Sequence, residues 1–297
     1  MVTALPRRFQ SALAVAALLA ALAVAPGTAE AGPPIESIVL GKAKGLTYRL
    51  ANVKIPSGGV DTRHAQCPSG QHVTGGGVDL SGPFGQAYLR STIPVGNDGS
   101  GFAAWEGQVI NGSAARQSLR VTAICKRGTI LYYDDNTGPL TGFTQFALPV
   151  GCLTDTQIVG GGAAVTGGVR MTLTQPSPSN STSNDAWFTY FHVPPNTSGS
   201  GLAYAVCASI DRLKYVSKTS RLPGPGVAAQ KARCPRRTAV IGGGVQLLGS
   251  QSEHLVTATH PFDNGDAGKT PEDGWRAKAA NTGLTDHKIR TWAICKG

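Results

Sequence analysis

The sequence predicts an all-β fold: three tandem, disulfide-stapled antiparallel β repeats, assembled as a pseudo-threefold β-prism-like or sandwich body. Three observations predict it. Glycine is abundant, at 39 of 297 residues, and turn residues cut the chain into short β-rich runs with no long amphipathic helical pattern. The cysteines number six, an even count. A fixed set of residues then recurs three times in register, the signature of a repeat architecture.

The first element is a leader, residues 1–31. Arg7 and Arg8 supply a positive start, residues 11–24 are nearly all Ala, Leu and Val, and Pro26-Gly27 breaks that run. Ala29 and Ala31 are the small residues a signal peptidase reads, so cleavage is expected after Ala31. The apolar run is shorter than the roughly 18–20 residues a membrane-spanning helix needs, and no later segment is long and apolar enough to cross. The expected product is secreted, extracellular or at the cell surface, where an oxidising environment lets cysteines pair.

Three units follow, at 32–127, 128–209 and 210–297. Cys67, Cys152 and Cys234 are each followed, after seven intervening residues, by Gly75-Gly76-Gly77, Gly160-Gly161-Gly162 and Gly242-Gly243-Gly244. Trp105, Trp187 and Trp275 are each followed, after nineteen intervening residues, by Cys125, Cys207 and Cys295. Pro94, Pro176 and Pro261 precede the tryptophans, and Tyr48, Tyr133 and Tyr215 stand nineteen positions before the opening cysteines. The steps from Cys125 to Cys152 and from Cys207 to Cys234 are both 27 positions, a constancy that favours one closed body over three beads on variable linkers. Length varies between the glycines and the tryptophan, around 97–99, 177–184 and 263–273, where polar loops tolerate insertion. Each unit reads as four or five strands; in the first these are 47–54, 72–80, 87–93, 103–110 and 118–125.

Two disulfide frameworks keep the repeat. One pairs within units, Cys67–Cys125, Cys152–Cys207 and Cys234–Cys295. The other pairs across junctions and closes a ring through Cys67–Cys295. The first is expected, because every copy then folds by one rule without waiting for distant chain ends to meet.

Glycines inside a strand admit a ring or a second backbone at close range, and the repeated tryptophan is the natural ring. A phosphate loop would need a helix after the glycines; strand residues follow here, so no nucleotide is expected. Trp105, Trp187 and Trp275 are tied to the repeat register and read as core. Trp292 is not: Thr122 and Tyr204 occupy its place in the other units. A position that varies among copies faces outward, which makes Tyr204 and Trp292 the candidate stacking platforms. The six histidines show no zinc spacing. His254, His260, Asp263, Asp266 and Glu272 form the densest polar cluster, and Asp134-Asp135-Asn136 reads as a turn. No cofactor, metal or catalytic residue is expected.

Charge is basic, with 27 Lys and Arg against 17 Asp and Glu. It is most uneven in the third unit, where Arg212, Lys214, Lys218, Arg221, Lys231, Arg233, Arg236 and Arg237 fall in a stretch, 212–252, without an acidic residue. Such a stretch is either a solvated face or an anion-binding surface. The partner expected is carbohydrate or another anionic polymer, bound by a monomer through Tyr204, Trp292, Arg212, Lys214, Lys218, Arg221, Arg233, Arg236 and Arg237. The rival is a secreted hydrolase with its site in the loops of one unit.

The pattern Cys-Pro, Gly-Gly-Gly, Pro, Trp, Ala-Val-Cys resembles a repeat of secreted and surface proteins of bacteria. Cys67-Pro68, Cys234-Pro235 and Ala205-Val206-Cys207 carry the likeness, while Cys152-Leu153 departs from it. The resemblance spans nearly the whole chain after the leader and implies export; it transfers no activity. A likeness to three-sheet β-prism proteins is one of architecture alone.

Overall fold

The computed structural model describes residues 37–81, 87–97, 102–128, 131–141, 144–177, 185–210, 212–249, 251–265, 268 and 270–297. The expected leader at 1–31, the loop positions 98–99 and 178–184, Asp266 and Lys269 lie outside the described residues. No helix among the described residues is long and apolar enough to cross a membrane.

Among the described residues, nineteen strands form three antiparallel sheets. The first unit supplies β1 (Ile38–Ala43), β2 (Leu46–Ile55), β3 (Val60–Gln66), β4 (His72–Ser81), β5 (Ala87–Asn97), β6 (Phe102–Asn111) and β7 (Gln117–Lys126). The second supplies β8 (Leu131–Thr141), β9 (Thr144–Gly151), β10 (Gln157–Val165), β11 (Arg170–Ser177), β12 (Ala186–Val193) and β13 (Ser198–Ala208). The third supplies β14 (Leu213–Leu222), β15 (Gly226–Arg233), β16 (Ala239–Leu248), β17 (His254–Phe262), β18 (Gly274–Asn281) and β19 (His287–Lys296). Each unit therefore has a six-strand repeat, with β1 as an addition to the first. The strands beyond the expected four or five are β3, β9 and β15. In β3 the alternation is of small and polar residues and only Ala65 is buried.

No sheet belongs to one unit. Sheet A runs β1-β2-β7-β4-β17-β18-β15, sheet B β3-β6-β5-β10-β13-β8 and sheet C β14-β19-β16-β11-β12-β9. The second and third units each give three strands to one sheet and three to the next, the first gives four to sheet A and three to sheet B, and each junction pairs a glycine-bearing strand with a strand of a neighbouring unit. This cyclic exchange excludes three independent beads. It also explains the constant 27-position step, which holds the β8–β9 and β14–β15 hairpins whose two strands lie in different sheets. Asp134-Asp135-Asn136, expected as a turn, instead lies within β8, which pairs along its full length with β13. An edge strand exposes one side to water and tolerates such residues.

The glycine triplets sit where the units meet. A register shift precedes each, at Val73/Gly75, Ile158/Gly160 and Val240/Gly242, the local kink of a β-bulge. A Cβ on Gly75 would lie 3.0 Å from the Cα of Gly242; one on Gly242, 3.1 Å from that of Gly160; one on Gly160, 3.1 Å from that of Gly75. The three strands thus close a ring around a pseudo-threefold axis, and only glycine permits that approach. The middle glycines, Gly76, Gly161 and Gly243, lie against the indoles of Trp105, Trp187 and Trp275 of their own units. All three indoles are fully buried. Their N–H groups donate to Thr92 Oγ1 (2.9 Å), Thr174 Oγ1 (2.8 Å) and Thr259 Oγ1 (2.8 Å). The carbonyls of these same threonines cover the third glycines of the adjoining units, Gly162, Gly244 and Gly77. One threonine thereby ties its own core to its neighbour's strand.

The repeated tyrosines complete the ring. Tyr48 donates to the carbonyl of Val240 (2.7 Å), Tyr133 to that of Val73 (2.8 Å) and Tyr215 to that of Ile158 (2.9 Å), each just before the bulge of another unit. Burial pushes the phenols of Tyr48 and Tyr215 far up, helped by Glu272 and Asp273 beside Tyr48 and by Asp185 beside Tyr215, so both remain donors. Disulfides join Cys67 to Cys125, Cys152 to Cys207 and Cys234 to Cys295, with Cα atoms 5.6, 5.7 and 5.7 Å apart.

Candidate functional site

One scaffold is built three times, but the three sheets differ chemically on the face turned away from the tryptophans. Directly paired residues share a face, so the strand registers assign each side chain.

The basic stretch falls on the β14–β15 hairpin. The two strands form outer edges of sheets C and A, so the hairpin lies over a seam between sheets. Arg212 precedes β14, while Arg236 and Arg237 follow β15, and the antiparallel hairpin brings them to one end with Lys214 and Arg233. All five are exposed. β19 adds Lys296, paired with Leu213. Lys126 is near enough that Lys296, after burial, holds its ammonium below the usual lysine range. Lys218 and Lys214 leave β14 on the side opposite Arg221. Among the described residues of the stretch only Arg221 is ion-paired, to Asp286; Arg233 donates to Asn264 Oδ1 (2.9 Å) and Lys231 lies 4.6 Å from the Phe262 ring centre.

Arg212 and Arg237 hold left-handed backbone, with φ of 62° and 68°, a region costly for most side chains and free for glycine. The position matching Arg237 in the first unit is Gly70, with φ of 69°. The third unit keeps an arginine where the turn itself favours glycine.

The basic surface continues over sheet A. Lys231 pairs with Arg276 and Arg276 with His260; Arg120 pairs with Asp79, and Ala258 with both Asp79 and Lys278. Burial depresses the His260 imidazole, and Arg276 and Arg120 add to the effect against the pull of Asp79. Sequence order hid Arg120, Arg276 and Lys278, which reach this face from strands outside the basic stretch. Alternation within each strand was the only available signal.

Tyr204 and Trp292 do alternate with buried neighbours and face away from the core, but on different sheets. They form no common site, and both are half-buried. Tyr204, on sheet B, meets the edge of Phe102 (5.7 Å between centres). Burial, with Asp135 and Glu106 nearby, raises its phenol. On the same sheet His64 Nε2 lies 3.1 Å from Glu106 Oε2. Burial is the largest influence on the Glu106 carboxyl and would raise it, but hydrogen bonds from His64 and Ser91 and the charge of His64 together outweigh burial, and the carboxyl is held low. Trp292, on sheet C, pairs with Ser217 and Gly244, and its indole N–H is buried without an acceptor. Beside it lies a feature the sequence did not disclose, a depression of about 380 Å³ lined by Leu173, Gln175, Phe188, Tyr190 and Gln246 among others.

The polar cluster expected in the third unit is dispersed. His260 faces Asp79 at 4.0 Å, while Asp263 accepts from the backbone N–H of Gly265. His254 packs edge-on against His287, 4.5 Å between ring centres, and His287 Nε2 is 3.7 Å from Glu253. No group of three metal-ligating side chains is assembled among the described residues.

His254 is fully buried, and neither ring nitrogen has a hydrogen-bond partner. Burial, then the charge of His287, lowers its pKa from 6.5 to about 4. The unfolded chain therefore takes up this proton first as pH falls. Stability is expected to drop by roughly 2–3 kcal/mol between pH 6.5 and 4 and to change no further from this group below that. Urea titrations across this window check it. His254→Phe should flatten the slope, and an unchanged slope would show another group to be responsible.

The chain matches no protein-family model and no curated protein.

Proposed function

We propose that the protein is exported, loses residues 1–31, and acts without catalysis as a binding protein for an anionic polymer outside the cell or at its surface. One observation carries this reading: Arg212, Lys214, Arg233, Arg236 and Arg237 gather, exposed, at one end of the hairpin over the A–C seam, and the cations of sheet A extend the same surface. Three within-unit disulfides suit an oxidising location. Lysine on edge strands also prevents edge-to-edge association, but that role does not call for arginine in a left-handed turn.

Retention on heparin should weaken steeply with salt, as exposed charge interactions are screened, and Arg236→Glu with Arg237→Glu should shift elution to clearly lower salt. Arg237→Gly separates function from folding. It should weaken retention while holding stability or raising it by up to about 1 kcal/mol, since backbone strain at this position is relieved. Absent or salt-insensitive retention would leave only a solvated face.

A second reading, a secreted hydrolase, draws on the His64–Glu106 pair, with Tyr204 and Asp135 on the same face of sheet B. Hydrolysis of any polysaccharide by the purified protein, abolished by Glu106→Gln, would favour it.

A further inference from the structure

The depression on sheet C adjoins the basic seam through two strands. Thr219 on β14 pairs with Arg290 on β19, Arg290 with Gln246 on β16, Gln246 with Leu173 on β11, and Leu173 with Tyr190 on β12. The next row away holds Trp292, Gly244, and the Gln175–Phe188 pair. Leu173 is buried and forms a floor; Phe188 and Tyr190 project from alternate positions of one strand and present two rings on one side. Gln246 accepts from Arg290 Nη1 (3.2 Å), and Arg290 Nε donates to Thr219 Oγ1 (3.1 Å), so the guanidinium is held at the rim. The amide oxygen of Gln175 has no hydrogen-bond partner.

We propose that this depression is a subsite for one unit of an acidic polysaccharide, a carboxylated pyranose. The apolar face of a sugar ring stacks on aromatic side chains, here Phe188 and Tyr190. Its hydroxyls meet the amides of Gln175 and Gln246, which both line the depression; the Gln175 oxygen is turned inward without a partner and gains one when the amide rotates towards the sugar. Its carboxylate meets Arg290, whose planar fork suits that group. In the row beyond Arg290, Lys288 pairs with Arg221, whose charge is taken up by Asp286; the strand rows of this face carry no carboxylate, so Arg290 and Lys288 favour an acidic over a neutral sugar. The volume, about 380 Å³, is in the range of small-ligand sites. This inference rests on the seam as a polyanion site and names the polymer's chemistry: sugar units, in preference to a phosphate backbone.

Titration calorimetry with a defined oligogalacturonate and with inorganic polyphosphate tests it. Phe188→Ala and Gln175→Leu are each expected to weaken oligogalacturonate tenfold or more and to leave polyphosphate within twofold. Arg290→Gln should weaken oligogalacturonate more than its methyl ester. Arg236→Glu with Arg237→Glu should weaken both polyanions. Melting curves of Phe188→Leu guard against a folding defect. If the sheet C variants weaken both polyanions equally or neither, or if polyphosphate binds and oligogalacturonate does not, the sugar subsite is overturned and the seam stands. If neither polyanion binds, the seam reading falls with it.

Discussion

Replacing Gly161 by alanine is expected to lower stability by about 3 kcal/mol, near the top of the range for an overpacked core, and valine should cost more. The size follows from what surrounds the site. A Cβ there would enter the indole of Trp187 and come within 2.5 Å of the carbonyl oxygen of Tyr204. Neither can withdraw: the indole is fully buried and bonded to Thr174, and the carbonyl belongs to the paired strand. Gly76 and Gly243 stand in the same relation to Trp105 and Trp275, so the three alanine variants should fall together. A drop of this size corresponds to roughly 6–12 °C in melting temperature for a body of this length. Gly138 on β8, with open space where its Cβ would be, is the control, and Gly138→Ala should change stability little. Gly161→Ala combined with Trp187→Leu should cost less than the two changes added, since the smaller side chain frees the space. Three alanine variants melting with the parent would refute the packing account.

The second large effect belongs to the disulfides. Removing both cysteines of one bridge should cost about 4 kcal/mol through regained loop entropy. The bridges span 58, 55 and 61 residues, and the dependence on length is logarithmic. The three paired Cys→Ser variants should therefore differ from one another by only about 0.1 kcal/mol from this source. Larger differences would measure how firmly each unit is otherwise held. Guanidinium titrations of the three variants give the comparison, and a non-reduced peptide map joining Cys125 to Cys152 would contradict the pairing.

Much of this fold was legible because its essential contacts are written at fixed spacing. A tryptophan needing a glycine opposite, and a cysteine closing each unit, cannot drift without loss, so Gly76 and Trp105 recur as Gly161 and Trp187. The exchange of strands between units was not legible. Sheet A is joined across units by the pairing of β17 with β4 at Ala258–Asp79 and Thr259–Val78, and an apolar alternation does not say which copy it will pair with. The site divides in the same way. Consecutive charges exposed Arg236 and Arg237, whereas Arg120, Arg276 and Lys278 meet only through pairing. Phe188 and Tyr190 alternate with Trp187 within β12 and so lie on the other face, but nothing in the sequence distinguishes an outward aromatic pair from core residues next to a buried tryptophan.

The shared sheets set a hazard as well as a structure. When the first unit has emerged, β4 presents an unpaired edge that only β17, from the far end of the chain, can fill. Until then a second molecule's third unit offers the same edge chemistry. Pairing between molecules would leave each with one open edge and one donated segment, a head-to-tail arrangement that extends until it happens to close. Concentrated refolding should thus favour chains and rings of intact, correctly disulfide-bonded units, whereas dilution favours the self-closed molecule.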